Sequence, residues 1–220
     1  MHAPNESTAG PHSGQPVLMT GEPLNSARAA MILLHGRGAT AQDILTLVDE
    51  IEQPGFTYLA PQAASGSWYP NRFLDLTSSN QPWLASALAV VDKLLEHLQR
   101  SAVGPERTIL LGFSQGGCLA LEYAARNARR YGGVVGLSAG VIGADEEARQ
   151  DRGFLEGTPI FLGCSDRDPH IPKERVERSE EILKSLGGKV TLRIYPNMAH
   201  TVNRDELDFI RQMSEMLFSS

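Results

Sequence analysis

The run Thr108-Ile109-Leu110-Leu111-Gly112-Phe113-Ser114-Gln115-Gly116-Gly117 decides the fold. Its first six residues lack the polar alternation of a half-exposed strand, so they read as a strand covered on both faces. Gly112 to Gly116 then have the G-x-S-x-G form, and Leu119, Tyr123 and Ala124 follow at helical spacing. Ser114 would stand on a tight strand-to-helix turn, in a strained conformation that holds its hydroxyl clear of the sheet. A Cβ at Gly112 or Gly116 would collide across so sharp a turn.

Outward from this turn, further apolar runs predict strands over 29–35, 56–60, 133–138, 159–164 and 189–195. Helical patterns lie between them at 41–52, 83–100, 115–129, 173–186 and 204–217. Thr40 with Asp43, and Asn203 with Glu206, offer capping pairs. Strand and helix alternate this often in an α/β protein, with a mostly parallel central sheet and helices on both faces. The segment 139–158 is too short for a separate lid domain. The segment 61–82 is long, rich in Pro, Ser, Gly and Asn, and carries Trp68, Tyr69 and Phe73. Long irregular loops that persist in a folded domain are often functional.

Composition limits the function. With 220 residues, 41% hydrophobic and 21% charged, the chain reads as one globular domain over 17–220 after a flexible lead-in over 1–16. The lead-in has neither the basic start nor the apolar stretch of a secretory signal. A net charge of −6 with no basic block argues against nucleic acid. The apolar runs fall far short of the roughly 20 residues that span a bilayer. Two cysteines, Cys118 and Cys164, make no disulfide framework, and no Cys/His cluster has metal-ligand spacing. The expectation is a cytoplasmic protein with two reduced thiols and no metal. Oligomeric state is open, a homodimer included.

A serine hydroxyl needs a base to take its proton. Of six histidines, His2 and His12 fall in the lead-in and His97 on the outer face of a helix. His35 ends the first clear strand, too early for a Ser…Asp…His order. His170 and His200 remain. His200 follows the strand 189–195 and precedes the last helix, at the sheet edge where ligands meet open α/β folds, and is the candidate base. Two carboxylates, Asp166 and Asp168, follow the strand 159–164 and compete to orient it. Either also fits as a turn residue or helix cap.

The pieces LLHGRGAT (33–40), APQAASGSWYP (60–70), GFSQGG (112–117), GCSDRDPHIP (163–172) and MAHTV (198–202) carry a resemblance. In these residues, and in their order, the chain resembles the phospholipase/carboxylesterase branch of the α/β hydrolases, which includes the acyl-protein thioesterases. The resemblance implies an α/β-hydrolase fold and a cofactor-free Ser114–His200–Asp168 triad, since the family's acid immediately precedes the proline of a D-P-x-[VI]-P segment. It also implies an oxyanion hole made by the main-chain N–H groups of Arg37 and Gln115. Thioesterases of this family acting on lipidated proteins usually carry Leu-Gly-Asp after His-Gly, where this chain has Arg37-Gly38-Ala39. That departure favours a carboxylesterase acting on short- to medium-chain esters through an acyl-enzyme. Lysophospholipase or acyl-thioesterase activity is the near alternative, and a non-catalytic hydrolase-fold binding protein is the distant one. The partner expected is a small-molecule ester or thioester. Trp68, Tyr69 and Phe73 would line its pocket, or else pin their loop to the body.

Overall fold

In the computed structural model, residues 10–218 are described. Among these residues seven strands form one sheet: β1 (Val17–Gly21), β2 (Ala29–Leu34), β3 (Phe56–Pro61), β4 (Thr108–Phe113), β5 (Gly133–Leu137), β6 (Pro159–Ser165) and β7 (Lys189–Tyr195). Their spatial order is β1-β3-β2-β4-β5-β6-β7. All neighbours run parallel except β1, which pairs antiparallel with β3, Val17 opposite Pro61 and Gly21 opposite Thr57.

The helices are α1 (Ala41–Leu45), α2 (Val48–Ile51), α3 (Trp83–Arg100), α4 (Gln115–Arg126), α5 (Lys173–Ser185) and α6 (Arg204–Met216). Alternate residues of each central strand face opposite layers. Ala30, Ile32 and Leu34 of β2 join Leu110 and Val134 in one core, with apolar residues of α3, α4 and α5. Ala29, Met31 and Leu33 join Ile109, Leu111 and Val135 in the other, with residues of α1, α2 and α6. Both faces of β2 and β3 are buried throughout, which is why neither strand alternates in sequence. This is the α/β-hydrolase arrangement. The segment between β5 and β6 contributes a single isolated bridge, from Gly153 back to Ala128.

Three details depart from the sequence reading. The helix expected over 41–52 is two short helices with Thr46 and Leu47 between them. Strand β1 was not legible: it is an edge strand whose residues are mostly exposed, so no buried face marks it. The lead-in expected to be free over 1–16 is docked over its described part. His12 is buried, donates from Nε2 to the Trp68 carbonyl (2.9 Å) and accepts the Ala64 N–H at Nδ1 (3.1 Å). Its ring sits 5.4 Å from both Trp68 and Trp83, so ring contacts and two hydrogen bonds together hold this part of the lead-in. Residues 1–9 of that lead-in lie outside the described residues.

Candidate active site

Parallel strands deliver their C-terminal ends to one edge of the sheet, and four of them deliver the candidate residues. Ser114 stands between β4 and α4 at φ 53°, ψ −119°. The strained turn is held by the Ser114 N–H on the Leu137 carbonyl (2.9 Å) and the Cys118 N–H on the Ser114 carbonyl (2.9 Å). A Cβ on Gly112 would run into the backbone of Gly116 and Gly117, and one on Gly116 into the Leu34 and His35 carbonyls. Both glycines are therefore required by the approach of α4 to β4 and β2.

His200 lies in the loop between β7 and α6, and Asp168 in the loop between β6 and α5. His200 Nε2 is 3.0 Å from Ser114 Oγ, and His200 Nδ1 is 2.6 Å from Asp168 Oδ2. With Nδ1–H donating to that carboxylate, Nε2 is left free to accept from the serine hydroxyl. Asp168 Oδ1 accepts two further N–H groups, from His170 (2.8 Å) and Ile171 (3.0 Å). Burial alone would raise the Asp168 pKa, but bonds from His200, His170 and Ile171 outweigh it and hold the carboxyl below its usual range. Asp166 is elsewhere: its Oδ1 accepts the Asn197 N–H (2.7 Å), fixing the turn that leads to His200.

Arg37 and Gln115 flank this line of three. Gln115 is the first residue of α4, so its N–H has no preceding turn to bond, and Arg37 N–H sits in the glycine turn after β2. Neither N–H has a backbone acceptor among the described residues. A cleft of about 820 Å³ opens above Ser114 and His200, with Gly36, Arg37 and Gln115 on its wall. Tyr69, Phe73, Phe113 and Ile171 supply apolar lining, and Arg72 stands at its rim. A second cavity, about 350 Å³, lies where Arg126 and Arg149 meet Glu122, with Arg175 on its wall, and none of the three aligned residues lines it.

Of the three loop aromatics, Tyr69 and Phe73 line the cleft, and Trp68 does not. Trp68 is fully buried beneath the loop, its indole N–H donating to the His35 carbonyl (2.9 Å). A Trp this large, with its one donor satisfied by main chain, pins the loop instead of facing substrate. His35 is likewise structural: Nδ1 donates to the Gly36 carbonyl (2.8 Å) and Nε2 accepts the Ala63 N–H (3.0 Å). Burial lowers its pKa and that of His12, keeping both neutral and able to accept. Neither contact leaves a local signal in the chain, since each pairs a histidine with a loop residue 28 or more positions away. The thiols of Cys118 and Cys164 are buried, and burial pushes each pKa to about 12, so neither is a ready nucleophile.

Residues 17–217 match the family described as Phospholipase/Carboxylesterase, and the chain belongs to that family of hydrolases. A phospholipase/carboxylesterase of Dyadobacter fermentans, known as a crystal structure, is 37% identical, with a TM-score of 0.87 over 90% of this chain and 95% of that one. An acyl-protein thioesterase 1 of Saccharomyces cerevisiae is 26% identical over 90% of this chain and 96% of its own length. One of Gibberella zeae is 37% identical over 112 residues, 49% of this chain and 47% of that protein. Among the described residues, no helix is long and apolar enough to cross a membrane.

Proposed function

We propose that the chain is a serine-dependent acyl hydrolase that cleaves carboxylic thioesters and esters through an acyl-enzyme on Ser114. The observation that carries this reading is the hydrogen-bonded line Ser114 Oγ, His200 Nε2, His200 Nδ1, Asp168 Oδ2, at 3.0 and 2.6 Å, beside two amides with no backbone acceptor among the described residues. Ser114 Oγ attacks the substrate carbonyl carbon while its proton passes to His200 Nε2. Asp168, ionised and bonded to Nδ1, stabilises the imidazolium that results. The carbonyl oxygen becomes an oxyanion facing the Arg37 and Gln115 N–H groups. Collapse breaks the bond to the leaving alcohol or thiol, which takes the proton from Nε2. Water then repeats the sequence on the acyl-serine and frees the acid.

Acyl thioesters stand first as substrates, because the curated relatives spanning most of this chain are named acyl-protein thioesterases. An open cleft with apolar lining suits an acyl chain of several carbons. Short- to medium-chain carboxylic esters stand second, favoured by the 37% identity to a phospholipase/carboxylesterase and by Arg37-Gly38-Ala39 after His-Gly. A matched series of S-ethyl thioesters and ethyl esters, from C2 to C16, separates the two. The expected result is higher kcat/KM for the thioester at each length, rising by about fourfold per methylene (about 0.8 kcal/mol) until the cleft is filled. Turnover of esters alone would move the second reading to the front. No turnover of either, with no labelling by a fluorophosphonate, would return the chain to a binding role.

A further inference from the structure

The amides of Arg37 and Gln115 come from separate elements, the turn after β2 and the first turn of α4. An oxyanion hole needs both donors within about 2.7–3.1 Å of one point, so something must fix their mutual register. The two side chains converge on a single atom. Gln115 Nε2 donates to the Tyr69 carbonyl (2.8 Å), and Arg37 Nη2 donates to the same oxygen (2.9 Å). Ser67 Oγ adds a third bond to it (2.9 Å).

The surrounding contacts tighten this junction. Gln115 Oε1 accepts the Trp68 N–H (2.9 Å), while Arg37 Nη1 and Nη2 donate to the Pro70 (2.8 Å) and Asn71 (2.7 Å) carbonyls. The Gly38 N–H bonds the Gly66 carbonyl (2.8 Å), tying the β2 turn to the same loop. Trp68 anchors the loop from below through His35 and His12. Gln115 is 6% exposed, so its amide group makes these bonds away from competing water.

We propose that the Tyr69 carbonyl is the registration point of the oxyanion hole, and that the Arg37 and Gln115 side chains are positioning residues that aim their own amides through it. The inference rests on the acyl-hydrolase reading and adds to it. It also gives the arginine after His-Gly a role, because a guanidinium offers the fork of donors needed to span three consecutive carbonyls. Loss of either side chain frees one amide to drift, and a displacement near 1 Å costs on the order of 100-fold in rate.

Steady-state kinetics test this, on an ethyl ester or thioester that the wild type turns over and with Ser114→Ala in parallel. Gln115→Ala should lower kcat by roughly 10- to 100-fold with KM changed by less than about 3-fold. Gln115→Glu retains an acceptor for the Trp68 N–H but sets a carboxylate against the Tyr69 carbonyl, and should lose kcat similarly. Arg37→Ala should behave like Gln115→Ala, with Arg37→Lys recovering part of the loss. The double Ala variant should fall by less than the product of the single losses, because both side chains act on one oxygen. Melting temperatures distinguish loop loosening: kcat should fall in Arg37→Lys even where melting is unchanged. Wild-type kcat in Gln115→Ala and Arg37→Ala, alongside an inactive Ser114→Ala, overturns the proposal and leaves the acyl-hydrolase reading standing. Multiplicative losses in the double variant overturn the shared hub. An active Ser114→Ala removes the underlying reading and the proposal with it.

Discussion

Asp168 Oδ2 lies 2.6 Å from His200 Nδ1, whereas Asp166 two residues earlier accepts the Asn197 N–H. Under the proposed mechanism an amide at 168 would present the wrong partner to Nδ1 and favour the unproductive tautomer. Asp168→Asn should therefore lower kcat by about 10³- to 10⁴-fold, while Asp166→Asn should cost less than about 10-fold, both read from initial rates. The reverse order would show that the wrong carboxylate had been placed on the histidine. Residue chemistry alone left these two aspartates undecided, because both sit in one turn-forming run; the D-P-x-[VI]-P likeness separated them. The turn around Ser114 was legible because its two glycines answer a steric demand of the backbone, which a Cβ at either position would violate. Trp68 stayed undecided between lining the pocket and pinning the loop, because composition reveals an apolar side chain but not which side of a loop it faces.

At the scale of elements, α6 begins beside His200 with a capping box, as the Asn203–Glu206 spacing predicted. Asn203 caps the Glu206 N–H, and Glu206 Oε2 accepts the Asn203 N–H (2.8 Å). The other carboxyl oxygen is buried with no partner among the described residues, against the Cβ-free face of Gly163. Burial raises this carboxyl to a pKa of about 7. A folded value above the unfolded one means that stability is fully present below about pH 4.5 and is lost as pH rises through about 7. Glu206→Gln should therefore gain stability relative to the wild type as pH is raised from about 5 to about 8, by on the order of 3 kcal/mol. Thermal melts across that range check it, and a wild-type-to-variant difference independent of pH would contradict it. The capping boxes and central strands were readable because local chemistry dictates them. Strand β1 and the docking of His12 were not, since each exists only through a partner distant in the chain.

For the molecule as a whole, parallel strands from both halves of the chain bring Arg37, Ser114, Asp168 and His200 to one edge of the sheet. That convergence was legible in the number of apolar runs and the order of the motifs, because a parallel sheet sends every strand's C-terminal end the same way. The cleft wall was not, since it depends on how the 61–82 loop folds back over the turn after β2. Under the proposed mechanism Ser114 carries the acyl group during turnover. Rapid acid quench of the protein during hydrolysis of a slowly deacylated ester, followed by mass spectrometry of its peptides, measures this directly. The predicted result is an adduct of the acyl mass on the peptide at Ser114, formed and lost at rates consistent with kcat, and absent from an inactive Ser114→Ala. Turnover by Ser114→Ala, or an acyl adduct carried instead by Cys118, would contradict it.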